Sequence, residues 1–503
     1  MIEGLTHAFL QLLVWPAPLF IVLGMALGLL FGILPGVGGT TALALLLPIT
    51  FGMDADLALI FLMTAYSVAG FGGMITSILL NVPGDAPNAA TTLDGYPMAK
   101  EGRAPEAIGA ATVASVVGGI IGIAFLIAVT PIARTLILSF SYPEFFMIAI
   151  AGLAGIAAFT RGQTHKGLIA AGIGLLISFI GLDPVTGSPR FDFGQLYLWD
   201  GIDIVPALVG LFAGAEMVYL YGKGTPIAER ADMSTTSTST FLQGAKANLR
   251  YWSLVLRSSI IGIIVGVIPG IGGTVASFFA YGQAAQTSKT PERFGKGAVE
   301  GVIASESAND ADKGGALLPT MAFGIPGGVG MAILLGALLL HGVPAGPNLL
   351  RDHIDIVYVL IVAAVVPRTI AGFVVWAIGA RALWFTSIRS NLLVPLIITI
   401  ALVGIYAVRS QILDVLVAIV FGYLGYSMSK YGFSRVALII GLVLGPLIEA
   451  SYQQTISAYG GVSAFFTRPI SLAFFILTVA SLVIPPILAR RRRGRGPASS
   501  VGS

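Results

Sequence analysis

The densest set of residues able to do chemistry is the run Ser305 to Gly315, read SESANDADKGG, inside a long apolar stretch. On a helix, Glu306, Asp310 and Lys313 occupy positions i, i+4 and i+7 with Asn309 alongside, so four polar groups share one face. An ionisable side chain at membrane depth is costly and usually functional. That face either lines a cavity or belongs to a surface-facing helix end with internal ion pairs.

A second chemical signal is a repeated break. GLLFGILPGVGGT, Gly28 to Thr40, returns 234 positions later as GIIVGVIPGIGGT, Gly262 to Thr274. Proline lacks a helix donor and clashes one turn back, and paired glycines take backbone angles that other residues resist. At membrane depth such broken backbone can hold an anion at a half-helix N-terminus and a cation, such as a transient sodium, at free carbonyls. Pro35, Gly36, Gly38, Gly39 and Thr40, with Pro269, Gly270, Gly272, Gly273 and Thr274, are therefore candidate binding residues. Gly24, Gly28, Gly32, Gly262 and Gly266, spaced by four, instead let helices pack closely.

A weaker pair of breaks follows at Pro83 and Gly84, and at Pro326, Gly327 and Gly328. Each closes on a Gly-x-Pro, at Gly95 to Pro97 and Gly342 to Pro344. Asn81 and Asp85 flank the first of them, either as ligands for a substrate or ion or as part of a solvated turn. Arg368 and Glu216 read as buried partners or interface anchors and are left out of the site.

Other chemistries find little support. The chain has no cysteine, and His7, His165, His341 and His353 show no metal-ligand spacing, so no resident metal or catalytic thiol is expected. The fragment GKG at 295–297 lacks the spacing and hydroxyl of a phosphate-binding loop, and SMSK at 427–430 is an isolated match to an acyl-enzyme pattern. No enzyme and no cofactor are expected; an ion gradient, sodium or proton, is the remaining drive.

The elements that must position these groups are membrane helices. Of 503 residues, 56% are hydrophobic and only 10% charged, with a mean hydropathy of +0.91. A span needs roughly 20 apolar residues, and the length leaves room for about ten to twelve. The N-terminus reads as retained, not as a cleaved signal peptide. Polar residues 223–250 form a linker between a first membrane repeat at 1–222 and a second at 251–489, with a basic tail at 490–503.

Loop charges place that tail in the cytoplasm together with Lys430, Arg435, Arg381 and Arg389, while Asp414 and the Asp352 to Asp355 loop fall outside. The basic groups are read as orientation signals and not as a nucleic-acid surface. The first copy of the repeat leads into Asp54 and Asp56, the second into Lys289, Arg293 and Lys296. The two hairpins are thus expected to enter from opposite faces. The expected fold is an all-α polytopic membrane protein of two inverted-topology repeats, with re-entrant or broken helices at the Pro-Gly motifs.

At these residues the chain resembles the large membrane subunit of tripartite tricarboxylate transporters, the TctA family, over nearly its whole length. The resemblance rests on PGVGGTTALALLLPITFGMD (Pro35 to Asp54), FGGMITSILLNVPG with LDGYPMAKEGRA (Phe71 to Ala104), PGIGG, the Glu306 and Asn309 region ending in GGALLP, and FGIPGGVGMAILLGALLLHGVPAGP. It implies carboxylate uptake across the bacterial inner membrane, driven by sodium or protons, with a small membrane subunit and a periplasmic binding protein. Phe71 to Met74 stand where the family usually has Tyr-Gly-Gly-Ser, Asp310, Asp312 and Lys313 charge a stretch that is usually less charged, and Gly328 replaces a small hydroxyl residue. These departures point away from citrate and suggest Lys313 as a countercharge. A sulfonate or other organic anion, or an anion channel, is the alternative reading.

Overall fold

The computed structural model describes residues 1–34, 38–137, 140–158, 164–183, 187–218, 238–269, 272–378, 390–476 and 478–479. Pro35, Gly36, Gly270 and the basic tail lie outside the described residues. The chain forms two compact units, Met1–Leu138 with Ile202–Tyr431 and Ser139–Gly201 with Gly432–Ser503, each drawing on both sides of the polar stretch.

Ten helices of the first unit build its centre: α1 Ala17–Ile33, α2 Gly38–Leu46, α3 Ala55–Leu80, α4 Ala89–Lys100, α5 Ala104–Ile137, α6 Trp252–Val267, α7 Gly272–Thr287, α8 Val299–Phe323, α9 Val329–Leu340 and α10 Ile354–Ile378. In lipid every backbone polar group must be satisfied internally, so apolar segments of this composition become helices. Helix α3 stops where Asn81 turns left-handed (φ 57°), and α8 stops at Gly324 (φ 68°).

Among the described residues, five helices are long and apolar enough to cross a membrane, or six if the pair Thr240–Arg250 and Trp252–Val267, bent by 75°, counts as one. The other apolar segments, α1, α2 and α9 among them, are shorter. The polar stretch also holds more structure than its composition suggests. Its end forms a helix, Thr238–Arg250, whose Asn248 Nδ2 donates to the Ala110 carbonyl of α5 at 3.1 Å.

Both halves of this unit repeat one packing scheme. Gly28 and Gly32 of α1 press against Ala65 and Ala69 of α3, and Gly262 and Gly266 of α6 press against Ala308 and Asp312 of α8. Further along, Gly72 lies on the Leu29 carbonyl and Gly315 on the Ile263 carbonyl; Gly84 lies on Gly32 and Gly327 on Gly266. Gly28 and Gly262 are 234 positions apart, whereas Ala65 and Ala308, Gly72 and Gly315, and Gly84 and Gly327 are each 243 apart. A longer α7 than α2 and a longer loop before α8 together absorb the difference, which is why the second pair of breaks looks out of register in sequence.

Backbone contact this close depends on a missing side chain. A Cβ at Gly32 would lie 2.0 Å from the Ala69 carbonyl oxygen. Gly32→Val must therefore push α1 from α3, a strain of the kind that costs about 1–3 kcal/mol or more. A fall in the melting temperature of the detergent-purified protein is the expected result; unchanged melting would show that the pair is held elsewhere. The core between these helices gathers Val68, Phe71, Ile75, Ala107, Ala111, Val302 and Ile303.

The second unit contains helices Tyr142–Ala158, Thr164–Ser178, Arg435–Tyr459 and the short Ala464–Thr467. Gly441 meets the Ala171 carbonyl and Gly174 the Leu438 carbonyl, again at backbone contact. A two-residue antiparallel bridge, Gly181–Leu182 with Pro189–Arg190, is a small departure from an all-helical chain. It places Arg190 against Glu449 and Asp183.

Candidate functional site

Helix α8 carries the polar run, and a carboxylate from the other half starts it. Asp94 on α4 accepts the N–H groups of Gly297 and Ala298, both at 2.9 Å, just ahead of Val299. Glu306, Asn309, Asp310, Asp312 and Lys313 are all buried, so the run is no surface-facing helix end.

The single polar face expected from spacing divides into three directions. Glu306 accepts from Asn88 Nδ2 at 3.0 Å, from Ser115 Oγ on α5 at 3.1 Å, and from the Thr91 hydroxyl. Asp310 pairs with Lys313 at 2.8 Å and with Arg368 of α10 at 3.1 Å. Asn309 and Asp312 turn instead towards Gly273, where a Cβ would lie 3.2 Å from Asn309 Oδ1 and 3.1 Å from Asp312 Oδ2.

Arg368 sits deep among backbone groups. It donates to the Ser67 carbonyl at 3.2 Å and the Asp310 carbonyl at 3.4 Å, and it fills the space left by the absent side chain of Gly119. Lys313 uses the space above Gly70 and lies 5.4 Å from the centre of the Tyr66 ring. That ring also borders Gly39 of the first break and Gly330 at the start of α9. Two cations thus share one carboxylate beside the breaks.

The first break supplies its own anion. Gly38 has φ +60°, and Asp85 accepts the Gly39 N–H at 3.0 Å while capping Ala86 at 2.8 Å. The N-terminus expected to hold a substrate carboxylate already holds one from the chain. Asp85→Ala removes the cap, a loss of about 1–2 kcal/mol. Faster amide hydrogen exchange across residues 38–46 is the expected readout, and unchanged exchange would deny the cap its role.

The remaining candidates are less uniform. Asn81 is exposed and serves as the left-handed end of α3, so it does not join the cluster; its role is to turn the chain. Pro83 is half-buried, and Gly84 is buried on the Gly32 carbonyl. Thr40, Pro269 and Thr274 are half-buried beside the breaks, and Gly272 takes φ +71°. Pro326 and Gly327 are buried, with the Gly327 N–H donating to Thr320 Oγ1 at 3.3 Å. Gly328 is extended and faces the Cα of Gly272.

Sequence reasoning missed Arg368, Asn88, Thr91, Ser115 and Tyr66 as members of this cluster. Arg368 carried a signal, being a lone cation in the apolar run AAVVPRTIAGFVV. The neutral residues had none, since hydroxyls and amides are common in such segments. Two apolar cavities, of about 260 Å³ beside Leu45 and Tyr423 and about 320 Å³ beside Val116 and Trp376, lie apart from the charged groups.

Five or six helices long and apolar enough to cross a membrane, with a cluster of buried charges among them, mark a multi-pass membrane protein. The chain belongs to the tripartite tricarboxylate transporter TctA family, whose model matches residues 19–440. It is 34% identical over 474 residues, 93% of either chain, to an uncharacterized 52.8 kDa protein in the TAR-I ttuC' 3' region of Agrobacterium vitis. It is also 32% identical over 236 residues to an uncharacterized protein in the TAR-II ttuC' 3' region of the same organism, covering 46% of this chain and 97% of that one. No solved structure matches the chain. As a member of the family it is a component of a transporter.

Proposed function

We propose that this component imports an organic anion carrying carboxylate groups across the bacterial inner membrane, driven by a sodium or proton gradient. The observation that carries the reading is the buried triad of Lys313, Asp310 and Arg368 beside the glycine breaks, in which two cations share one carboxylate. Lys313 and Arg368 are two buried cationic donors in a low-dielectric setting, where a substrate carboxylate finds strong ion-pair partners. A small membrane subunit and a periplasmic binding protein that delivers the substrate complete the assembly, as the family name suggests.

The paired packing of α1 to α3 and α6 to α8 supports two repeats around a central site. Opposite insertion of the repeats, with re-entrant hairpins and a cytoplasmic C-terminus, supplies alternating access. The test is uptake of radiolabelled mono-, di- and tricarboxylates into proteoliposomes holding this chain and its small subunit, with and without the binding protein, under imposed sodium or proton gradients. Saturable uptake that needs the binding protein and one gradient is the expected result. Flux that ignores the binding protein and never saturates would mark a channel, and uptake of sulfonates alone would move the substrate class.

A further inference from the structure

Helix Thr238–Arg250 is bent by 75° from α6, so it runs near the plane of the bilayer while α6 enters it. One side of it is fixed to α5 at backbone contact. Gly109 lies on the Phe241 carbonyl, Gly244 lies on the Glu106 carbonyl, and the buried Asn248 donates to Ala110. A second side is apolar and open, with Leu249 76% exposed and Leu242 exposed beside it. Along the border of that side Leu242, Lys246 and Arg250 form a row at i, i+4 and i+8. Both cations are exposed, and among the described residues neither pairs with a carboxylate; Arg250 lies 5.5 Å from the Tyr251 ring.

An apolar groove of about 320 Å³ opens between this helix, α5 and α10, lined by Phe241 and Leu242, by Thr112 and Val116, and by Phe373 and Trp376. Gly372 keeps it clear, since a Cβ there would lie 2.8 Å from Val116 Cγ2. Phe373 and Trp376 are both exposed, so the groove faces outward. One turn of a helix 10–12 Å across fills more than about 400 Å³, so the groove is too narrow for another membrane helix. A hydrocarbon chain is thinner.

The cations stand at the edge of the groove. Lys246 follows the lining residue Ala245 directly, and Arg250 lies one turn further on. Trp252, exposed at the bend, is a side chain favoured at the level of the headgroups.

We propose that the groove binds an acyl chain of an anionic phospholipid whose phosphate headgroup sits on Lys246 and Arg250. Charge decides the class: two exposed cations beside an apolar slot complement a negative headgroup, whereas a zwitterionic one brings its own cation to them. Bound there, the lipid bridges α5, α10 and helix Thr238–Arg250. The proposal stands apart from the transport reading, because it uses no residue of the buried cluster.

The test is melting of the delipidated full chain in an uncharged detergent, titrated with phosphatidylglycerol, phosphatidylcholine or glycerol phosphate at constant ionic strength. Phosphatidylglycerol should raise the melting temperature saturably, because a ligand that binds only the folded state stabilises it. Phosphatidylcholine should need about tenfold more lipid for the same rise, and glycerol phosphate should give none. The double variant Lys246→Gln with Arg250→Gln changes two exposed residues and should raise the half-saturating phosphatidylglycerol concentration about tenfold or more. Val113→Phe, which narrows the groove from a half-buried wall position, should weaken both lipids alike; if it does not fold, the double variant still decides. Equal effects of the two lipids, an unaltered response in the double variant, or a shift with glycerol phosphate alone overturns the site. Loss of the lipid response on adding the small membrane subunit also overturns it and makes the groove a docking surface for that subunit.

Discussion

Arg368→Gln is expected to cut uptake by about 100-fold and to lower the stability of the folded chain. The guanidinium makes three contacts at once, to the Asp310 carboxylate, the Asp310 carbonyl and the Ser67 carbonyl, and so ties α3, α8 and α10 together. Removing one partner of a buried pair costs about 3–5 kcal/mol because the other charge stays buried. Lys313 remains on Asp310, which places the loss near the lower end. About 3 kcal/mol corresponds to the 100-fold figure if the same interactions hold the transported anion. Arg368→Lys should recover folding better than uptake, since an ammonium lacks the planar fork that reaches several acceptors. Transport and melting assays on both variants decide the matter; wild-type uptake in Arg368→Gln would remove the triad from the mechanism.

The second large effect lies one turn away. Glu306→Leu leaves Asn88, Thr91 and Ser115 without their shared acceptor, and all three are buried. An orphaned donor costs on the order of 1–3 kcal/mol; Thr91 keeps Ser305 Oγ at 3.0 Å and Asn88 the Gly70 carbonyl at 3.5 Å, so a loss of about 2 kcal/mol is expected. Glu306→Gln keeps the shape and one acceptor oxygen, and the hydroxyls can rotate to accept from its amide. The expected order of melting temperatures is wild type, then Gln, then Leu. Three equal melting temperatures would mean that Glu306 does not hold α4 and α5 to α8.

Much of this architecture is legible in the residues because membrane helices announce themselves. The long α3 follows from an unbroken apolar and small-residue run and α8 from the apolar and small residues on either side of its charges, and their ends follow from Asn81 and Gly324, residues that tolerate left-handed backbone. The repeat at Gly28 and Gly262 is visible in sequence because its packing needs glycine at fixed spacing. The second pair of breaks is harder to align, since only the folded helices show that Gly84 and Gly327 perform the same contact.

The cluster was legible in part. Glu306, Asp310 and Lys313 stand out as charges, yet their partners come from α4, α5 and α10, far away in sequence. Helical spacing alone places Asn309 with Glu306, whereas the observed neighbours send them to different groups. Asp85 was expected at a ligand site or a turn, and it instead fills the helix start that a substrate was expected to use. Periodicity describes one helix; which neighbour each side chain meets depends on how several helices cross.

The cations of the triad carry a history in their neighbours. Lys313 occupies room over Gly70, and Arg368 occupies room over Gly119, where a Cβ would lie against the guanidinium. A lineage acquiring Arg368 must already hold the small residue opposite, and once the guanidinium is in place Gly119 cannot be exchanged, whereas the flexible end of Lys313, 3.3 Å from a Cβ at Gly70, has room to shift. Loss of the charge must come first for the glycine to drift. The order of substitutions is therefore constrained in both directions, and charge at the centre of this protein is a trait gained or lost in pairs.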